Sequence, residues 1–385
     1  YFKVAADAAA QDSVKEAWDA TKTYKVEITL GDETYVTDIT GQTVTLYQDV
    51  SESTGTIDIK GNVEIKLNGN DLTLTTPSNG MVFDVNENAS LKIIGNDNGK
   101  DAEKDGFTSM GYTNGTQSVI SVGKNGSVEI DNVKFYTNGS ALYPNGDASK
   151  VTVNNSEIKA GCYAVGTNYS ESMKNLVKAI DIEISSSHIS ATGFNGTAGK
   201  FATDGDACTV MINLQGATLT IDNSVIDGTR QAVFVRAGTA TVENTQVNFN
   251  NAFTGIISAA EGKWGSGNEV ASAAVVVGDK GCDSAYTGTA KLTIKGGEIK
   301  ATSGTAVVTS TDADTGYELI IENETATKVS IGSNAVSITG LKAVETGFSI
   351  SEGSVVITGS MTATDANSKI AQAEGDVVLK DLTIT

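Results

Sequence analysis

The sequence predicts an all-β solenoid, one continuous stack of short coils in place of several globular domains. Two observations carry this. A motif of apolar-x-apolar, a turn residue two positions on and a further apolar residue returns along the whole chain. Its cleanest pair is Leu219-x-Ile221-x-Asn223-x-x-Ile226 and, 21 residues later, Ala240-x-Val242-x-Asn244-x-x-Val247, with the apolar run Ala232 to Val235 between them. Glycine is abundant at 41 residues and proline is limited to Pro77 and Pro144, which suits strands joined by tight turns because proline removes a ladder donor. A solenoid can be one core of any length, so the 385 residues do not imply two or three domains.

The chain opens with its one helical pattern. Ser13-x-x-Glu16 is a capping box, and Val14, Ala17, Trp18 and Thr21 share a helical face. Residues 1–23 are therefore expected to form a helical cap over the open interior of the first coil. Residues 24–385 are expected to form a single solenoid domain. Lys25 to Leu30 and Thr34 to Ile39 flank Gly31-Asp32-Glu33 as a hairpin, and strands follow at Thr43 to Tyr47, Thr56 to Ile59 and Val63 to Leu67.

The recurring motif is read at Leu72/Leu74, Leu91/Ile93, Val128/Ile130, Val151/Val153, Ile182/Ile184, Leu219/Ile221, Ala240/Val242, Leu292/Ile294, Leu319/Ile321, Val355/Ile357 and Val377/Leu379, with Val336/Ile338 as a weaker member. Its turn position holds Gly95, Asn132, Asn155, Ser186, Asn223, Asn244, Gly296, Asn323, Gly359 and Asp381. These residue types tolerate left-handed backbone and suit a sharp corner. The apolar position after the corner is Phe135, Ile158, Ile189, Ile226, Val247, Ile299, Ala326 and Ile384. About twelve coils at about 4.8 Å each would give a length on the order of 55 Å.

The succession TVTLYQDV, GTIDIKG, VEIKLNGNDLT and ASLKIIG resembles the opening coils of right-handed parallel β-helix proteins of the pectate-lyase-like kind. Such segments are frequent in secreted and surface proteins of Gram-positive bacteria. The resemblance implies a right-handed parallel β-helix and an extracellular or cell-surface location. It also implies a place for activity, since pectin-degrading enzymes of this fold act in a groove beside one strand type. The excess sequence between motifs falls at 96–116, 167–179, 193–207, 250–270 and 279–289, on both borders of the strand type that contains Ala232 to Val235. Loops walling one face would make such a groove.

Composition narrows the partners. A net charge of −20 disfavours nucleic acid and anionic membrane surfaces, and no apolar run long enough for a membrane span is present. Cys162, Cys208 and Cys282 show no metal spacing. Cys162 and Cys208 each open a strand of the groove type, so they are either small core residues or a disulfide between successive coils. Asp312-x-Asp314-x-Gly316-x-Glu318 and the stretch from Asp97 to Asp105 have oxygen-rich spacing that would suit calcium without completing a known loop; no other cofactor is expected. Asn-x-Ser/Thr triplets recur at Asn88, Asn114, Asn125, Asn138, Asn154, Asn168, Asn195 and Asn323, and are read as the composition of a turn-rich protein.

Three function classes follow. The catalytic signatures that the resemblance would bring are missing: no Asp-Asp pair stands near a Gly-His-Gly, and no Arg-x-Lys occurs. Arg236 is the one candidate lyase base, with an exposed ladder residue as its plain alternative, and His188 reads as an exposed corner residue. A polysaccharide lyase or hydrolase is thus an alternative. Trp264, Tyr143, Tyr163, Tyr112 and Tyr286 lie in or beside the loops and groove strand, as the stacking faces of a glycan-binding module would or as ordinary loop packing; host or cell-wall glycan would be the ligand. The expected class is a non-enzymatic structural or adhesive surface protein. The residue between the two inward positions of the motif should face solvent. It is Lys92, Glu129, Thr152, Glu183, Thr220, Thr241 and Thr293 through the middle, then Ile320, Val356 and Val378. An outward apolar stripe implies a cover, either another subunit or a neighbouring domain, and a last coil without a cap invites end-to-end stacking into filaments. Thr218-x-Thr220 over Thr239-x-Thr241 also resembles, over two coils, the flat threonine arrays of ice-binding solenoids.

Overall fold

Most strands pair, in parallel, with the strand one motif later. The computed structural model describes residues 27–30, 33–35, 42–46, 49–53, 55–76, 80–96, 105–113, 117–168, 176–193, 200, 208–250, 273–277, 289–301, 305–309, 316–331, 334–336, 348–350, 354–361, 372–373 and 376–384, with side chains only within 43–299. The expected helical cap at 1–23 lies outside these residues, as do most of the expected loops at 167–179, 193–207, 250–270 and 279–289. The chain divides into two compact units, residues 1–164 with 194–201, and residues 165–193 with 202–385. Both are all-β and built from three parallel ladders, the pairing pattern of a β-helix-like solenoid.

In the first unit the first ladder runs through Gln42–Thr45, Asn62–Lys66, Ser90–Ile94, Ser127–Asp131 and Lys150–Asn154. The second, after the corner, runs through Val50–Ser53, Leu72–Thr75, Gly106–Ser109, Lys134–Thr137 and Glu157–Ala160. The third runs through Ile57–Ile59, Phe83–Val85, Ser118–Val122 and Ser140–Pro144. The motif residues Leu91, Ile93, Val128, Ile130, Val151 and Val153 are all buried, while Lys92, Glu129 and Thr152 between them are not. Fully burying one such aliphatic side chain stabilises the fold by about 1.5–3 kcal/mol. Phe83, Phe107 and Phe135 fill the interior as tilted ring pairs with centroids 5.7 and 4.7 Å apart, within the favoured range for aromatic contact.

The second unit continues the same plan. Its first ladder runs through Asp181–Ser185 and then the later parts of Cys208–Asp222 and Gln231–Glu243, followed by Thr289–Ala301, Gly316–Ile331, Ser354–Met361 and Asp376–Ile384. Val165–Gly166, the earlier parts of Cys208–Asp222 and Gln231–Glu243, Ala273–Val277, Thr305–Thr309, Phe348–Ile350 and Gln372–Ala373 make its third ladder. The expected hairpin is present: Ile28 faces Tyr35 and Leu30 faces Glu33 in an antiparallel pair.

The corner is the most regular feature. Asn132, Asn155, Ser186, Asn223 and Asn244 have φ between 44° and 57°, and Gly296 has φ 66°. The left-handed backbone expected at those positions is therefore adopted. Gly95 does not adopt it; its lack of a side chain serves a close approach instead, because a Cβ there would sit 1.9 Å from the Asn132 carbonyl oxygen. Immediately after the corner, a buried hydroxyl ties three of the coils to the one before. Ser156 Oγ accepts from the Val133 amide (3.1 Å) and donates to the Asn154 carbonyl (2.7 Å). In the second unit Ser224 Oγ accepts from the Ser187 amide (3.1 Å) and donates to the Asp222 carbonyl (2.7 Å). Thr245 Oγ1 accepts from the Ser224 amide (3.3 Å) and donates to the Glu243 carbonyl (2.7 Å).

Four expectations are corrected. Leu72/Leu74 belongs to the second ladder, in register with Val50 and Phe107; the first-ladder strand of that coil is Asn62–Lys66, and its corner is the longer Asn68-Gly69 turn. The expected loop 96–116 contains the strand Gly106–Ser109, whose single inward aromatic, Phe107, gave no alternation to read. Val336 lies in Asn334–Val336, which folds back antiparallel on Val329 to Ile331 and starts no coil. The residue in register with Ile299 is Val329, not Ala326, because the pairing shifts between Lys295 and Gly297.

Removing one hydroxyl tie should be costly. Ser224→Ala leaves the buried Ser187 amide without its acceptor and should destabilise the protein by about 1–3 kcal/mol. Ser224→Thr should cost little, since Thr245 already fills the equivalent place. Urea midpoints of the two variants check this; an alanine variant as stable as the parent would contradict it.

Candidate functional site

The third ladder carries the residues nominated for ligand contact, and it differs between the two units. In the first unit it alternates only in part, since Ser118–Val122 is buried at every position. Phe83, Val85, Ile120, Val122 and Leu142 are buried. Asp58, Asp84, Ser121 and Tyr143 occupy the positions between them and stand in one register row. Asp58, Asp84 and Tyr143 are half-buried, and Ser121 is 7% exposed. Partial burial pushes the Asp84 carboxyl above the usual carboxylate range, with a hydrogen bond to Ser121 working in the opposite direction.

In the second unit the third ladder is buried on both faces. Along Cys208–Asp222, Cys208, Val210 and Ile212 are buried, and so are Thr209, Met211 and Asn213 on the alternate positions. Along Gln231–Glu243 the residues from Gln231 to Ala237 are buried without a break, Arg236 at 1% exposure included. An open groove strand is therefore not what this part of the chain presents. Arg236 is neither an exposed ladder residue nor a base facing solvent, and Arg230 is buried as well. The sequence reading assumed one solvated face, and an apolar run on both strand faces overrides that assumption.

Tyr112 is also corrected. Its side chain is fully buried, its hydroxyl donates to the Gly80 carbonyl (3.1 Å), and Asn138 brackets its backbone with bonds of 3.1 and 2.7 Å. Burial pushes its phenol well above the ordinary range, so it is a core ring and not a stacking surface. Tyr163 is half-buried, and its carbonyl accepts from the Ala141 amide (2.7 Å). Trp264, Tyr286, Cys282, Asp312 and Asp314 lie outside the described residues. Glu318 is placed on the strand Gly316–Ile331, in register with Lys291 and Ser354. Cys162 in the first unit and Cys208 in the second are buried thiols, not a disulfide. Asp105, at the end of the oxygen-rich stretch, is buried and accepts from the amides of Gly69 (2.6 Å) and Asn96 (3.2 Å). Among the described residues no group of three His, Cys, Asp or Glu side chains is placed to hold a metal ion.

His188 is not a corner residue. It opens the strand His188–Ala191 of the second ladder, and its Nε2 lies 2.6 Å from Asp227 Oδ2 on the next coil. Asn248 Nδ2, one coil further, donates to Asp227 Oδ1 (2.7 Å). Ser190 is in register with Asp227, and Asp227 with Asn248. Partial burial works to raise the Asp227 carboxyl, but the bonds from His188 and Asn248 together with the histidine's charge outweigh it and hold the carboxyl below the usual range. The arrangement orients an imidazole with a carboxylate and ties three coils. The signal available in the sequence was the outward residue before and after each second-ladder apolar position, which was not tracked as the first-ladder residues were.

On the first ladder, Glu183, Thr220, Thr241, Thr293, Ile320, Val356 and Val378 form one unbroken register row. The threonine array is likewise in register, Thr218 with Thr239 and Thr220 with Thr241, and Thr218 Oγ1 donates to Asp181 Oδ1 (2.8 Å).

Because the folded state lowers the Asp227 pKa, the carboxylate stabilises the fold at pH values above its unfolded value of about 3.9, and that stability is lost as pH falls through the folded value. Asp227→Asn should therefore lower the urea midpoint at pH 7 by an amount equivalent to about 0.5–1 kcal/mol, a small figure because the pair is partly solvated. The difference should shrink as the pH is lowered below the aspartate range. A deficit that persists undiminished at low pH would show that the charge is not its source. No model of a known protein family, no curated protein and no solved structure matches this chain.

Proposed function

We propose that this chain is a secreted or cell-surface structural and adhesive protein. In this reading it is a right-handed parallel β-helix of about twelve coils, non-enzymatic, that associates with further copies of itself. The observation that carries the reading is how the chain uses the polar groups nominated for chemistry. Asp105 caps backbone amides and Tyr112 is a bonded core ring. Arg236 is buried and His188 is tied to Asp227 across coils. Side chains spent on holding coils together make a stiff scaffold.

Self-association is supported by the first-ladder row of the second unit. Glu183, Thr220 and Thr241 on that row are half-buried or exposed, Thr293, expected to face solvent, is 7% exposed, and the register carries the row on to Ile320, Val356 and Val378. At the flanking register positions of these last coils Lys291 faces Glu318 and Lys295 faces Glu322, while Lys380 stands beside Thr358 and Asp376 beside Ser354. That face is locally neutral on a chain of net charge −20, which lowers the repulsion that two copies meet elsewhere.

Incubating the protein with a panel of acidic polysaccharides, with and without calcium, should yield no unsaturated or shortened products; their formation would sink the non-enzymatic reading. Light scattering of the purified chain should report particles larger than a monomer. Val356→Lys or Val378→Lys should return them to monomer without loss of folded signal, whereas a parent protein that is monomeric at all accessible concentrations would count against association.

A further inference from the structure

We propose that the Asn-Gly turns of the first unit are latent deamidation sites, held unreactive by the coil and released when a coil opens. Asparagine followed by glycine is the pair most prone to this reaction, because no Cβ shields the attacking nitrogen, and the chain has eight such pairs. Four lie wholly within the described residues: Asn68-Gly69, Asn125-Gly126, Asn138-Gly139 and Asn145-Gly146. In the reaction the glycine nitrogen attacks the asparagine Cγ. The N–Cγ bond forms, the Cγ–Nδ2 bond breaks, and ammonia leaves with the glycine amide proton. Water then opens the ring to aspartate or isoaspartate.

The fold demands both members of the pair. The corner φ values of 53° at Asn68 and 52° at Asn125 favour asparagine over most residues. A Cβ on Gly139 would sit 2.8 Å from the Tyr112 ring, and one on Gly146 2.0 Å from the Gly123 carbonyl carbon. The same geometry blocks the reaction. All four glycine amides already donate: Gly69 to Asp105 Oδ1 (2.6 Å), Gly126 to the Gly123 carbonyl (3.0 Å), Gly139 to Thr137 Oγ1 (3.0 Å) and Gly146 to the Val122 carbonyl (2.9 Å). Asn68 and Asn125 are exposed to water, so burial does not protect them, and the backbone supplies a second lock. In the left-handed well ψ is roughly +30 to +60°, which sets the next nitrogen opposite Cβ and out of reach of Cγ. Attack requires nearly half a turn of ψ, and with it loss of the corner.

The reaction makes opening irreversible. Asn125 Nδ2 donates to Asn88 Oδ1 (2.9 Å), a bond that a carboxylate cannot make, and isoaspartate inserts a carbon into the backbone and breaks the register. A coil that opens long enough to react cannot close as before.

The test is peptide mapping by mass spectrometry of the full chain held at mildly alkaline pH, folded and in guanidinium chloride. Conversion at the four asparagines should be at least about tenfold slower in the folded chain, because it proceeds only through the opened fraction. Asp105→Ala removes the acceptor of the Gly69 amide. It should raise the rate at Asn68 about tenfold relative to Asn138 in the same sample, the weight of one hydrogen bond to a charged group. The proposal is overturned if the folded and denatured chains convert alike, or if Asp105→Ala leaves the ratio of the two rates unchanged.

Discussion

The corner between the first and second ladders constrains everything else in this fold. A parallel ladder satisfies backbone groups as long as the strands run straight. At the corner the chain enters left-handed backbone at Asn132, Asn155, Ser186, Asn223 and Asn244, and the next amide turns out of the ladder. Buried amides cannot be left unpaired. Here the acceptor comes from the following coil: Ser156 serves Val133, Ser224 serves Ser187 and Thr245 serves Ser224. Each coil is incomplete without its neighbour, which is the nearest-neighbour coupling that makes repeat arrays cooperative. The left-handed conformation itself costs an ordinary residue about 1–2 kcal/mol and asparagine less, so composition at this position is strongly restricted.

That constraint governs what is left for function. The first unit reaches the same end in two ways. Its early coils use carboxylates, with Asp49 and Asp71 accepting amides from the coil that follows and Asp105 accepting from Gly69 and Asn96. Its last coil uses the Ser156 hydroxyl. Groups committed in this way are unavailable to a ligand. Asp227 and Asp84 show the contrast: both are partly buried outward acids, yet one is held below the carboxylate range by two partners and the other is pushed above it. The first is explained by the ties it makes.

Much of this architecture was legible in the sequence, because the motif encodes inward and outward positions with period two and the corner demands a narrow set of residue types. Leu219, Ile221, Asn223 and Ile226 fall where that pattern puts them. What was not legible has identifiable causes. Phe107 sits in a four-residue strand among polar neighbours, so it had no alternation of its own. Leu72 and Leu74 mimic the first-ladder pattern, and only pairing with Val50 and Phe107 assigns them to the second ladder. Asn155 was expected at the corner and is found there, but Ser156 after it was read only as part of an Asn-x-Ser triplet, although it is the buried tie. His188 and Asp227 are 39 residues apart and meet only through the coil register. Arg236 was judged from strand alternation, which burial on the strand's second face overrode, and Tyr112 from its loop position, although Asn138 and Gly80 hold it in the core.

The same sequence signature occurs on two faces of the second unit, and comparing them sharpens its meaning. Met211, Phe234 and Val276 stand on the alternate positions of the third ladder, where a solvated strand would carry polar residues. They are 3%, 0% and 1% exposed in the chain alone, so apolar residues on both faces of a strand here mark a strand that is covered. Ile320, Val356 and Val378 bring that signature to the first ladder, on a row that begins with Glu183 and Thr220. Thr293, in register beside Ile320 on the same row, is itself only 7% exposed in the chain alone, so at that rung the chain's own residues already cover the row.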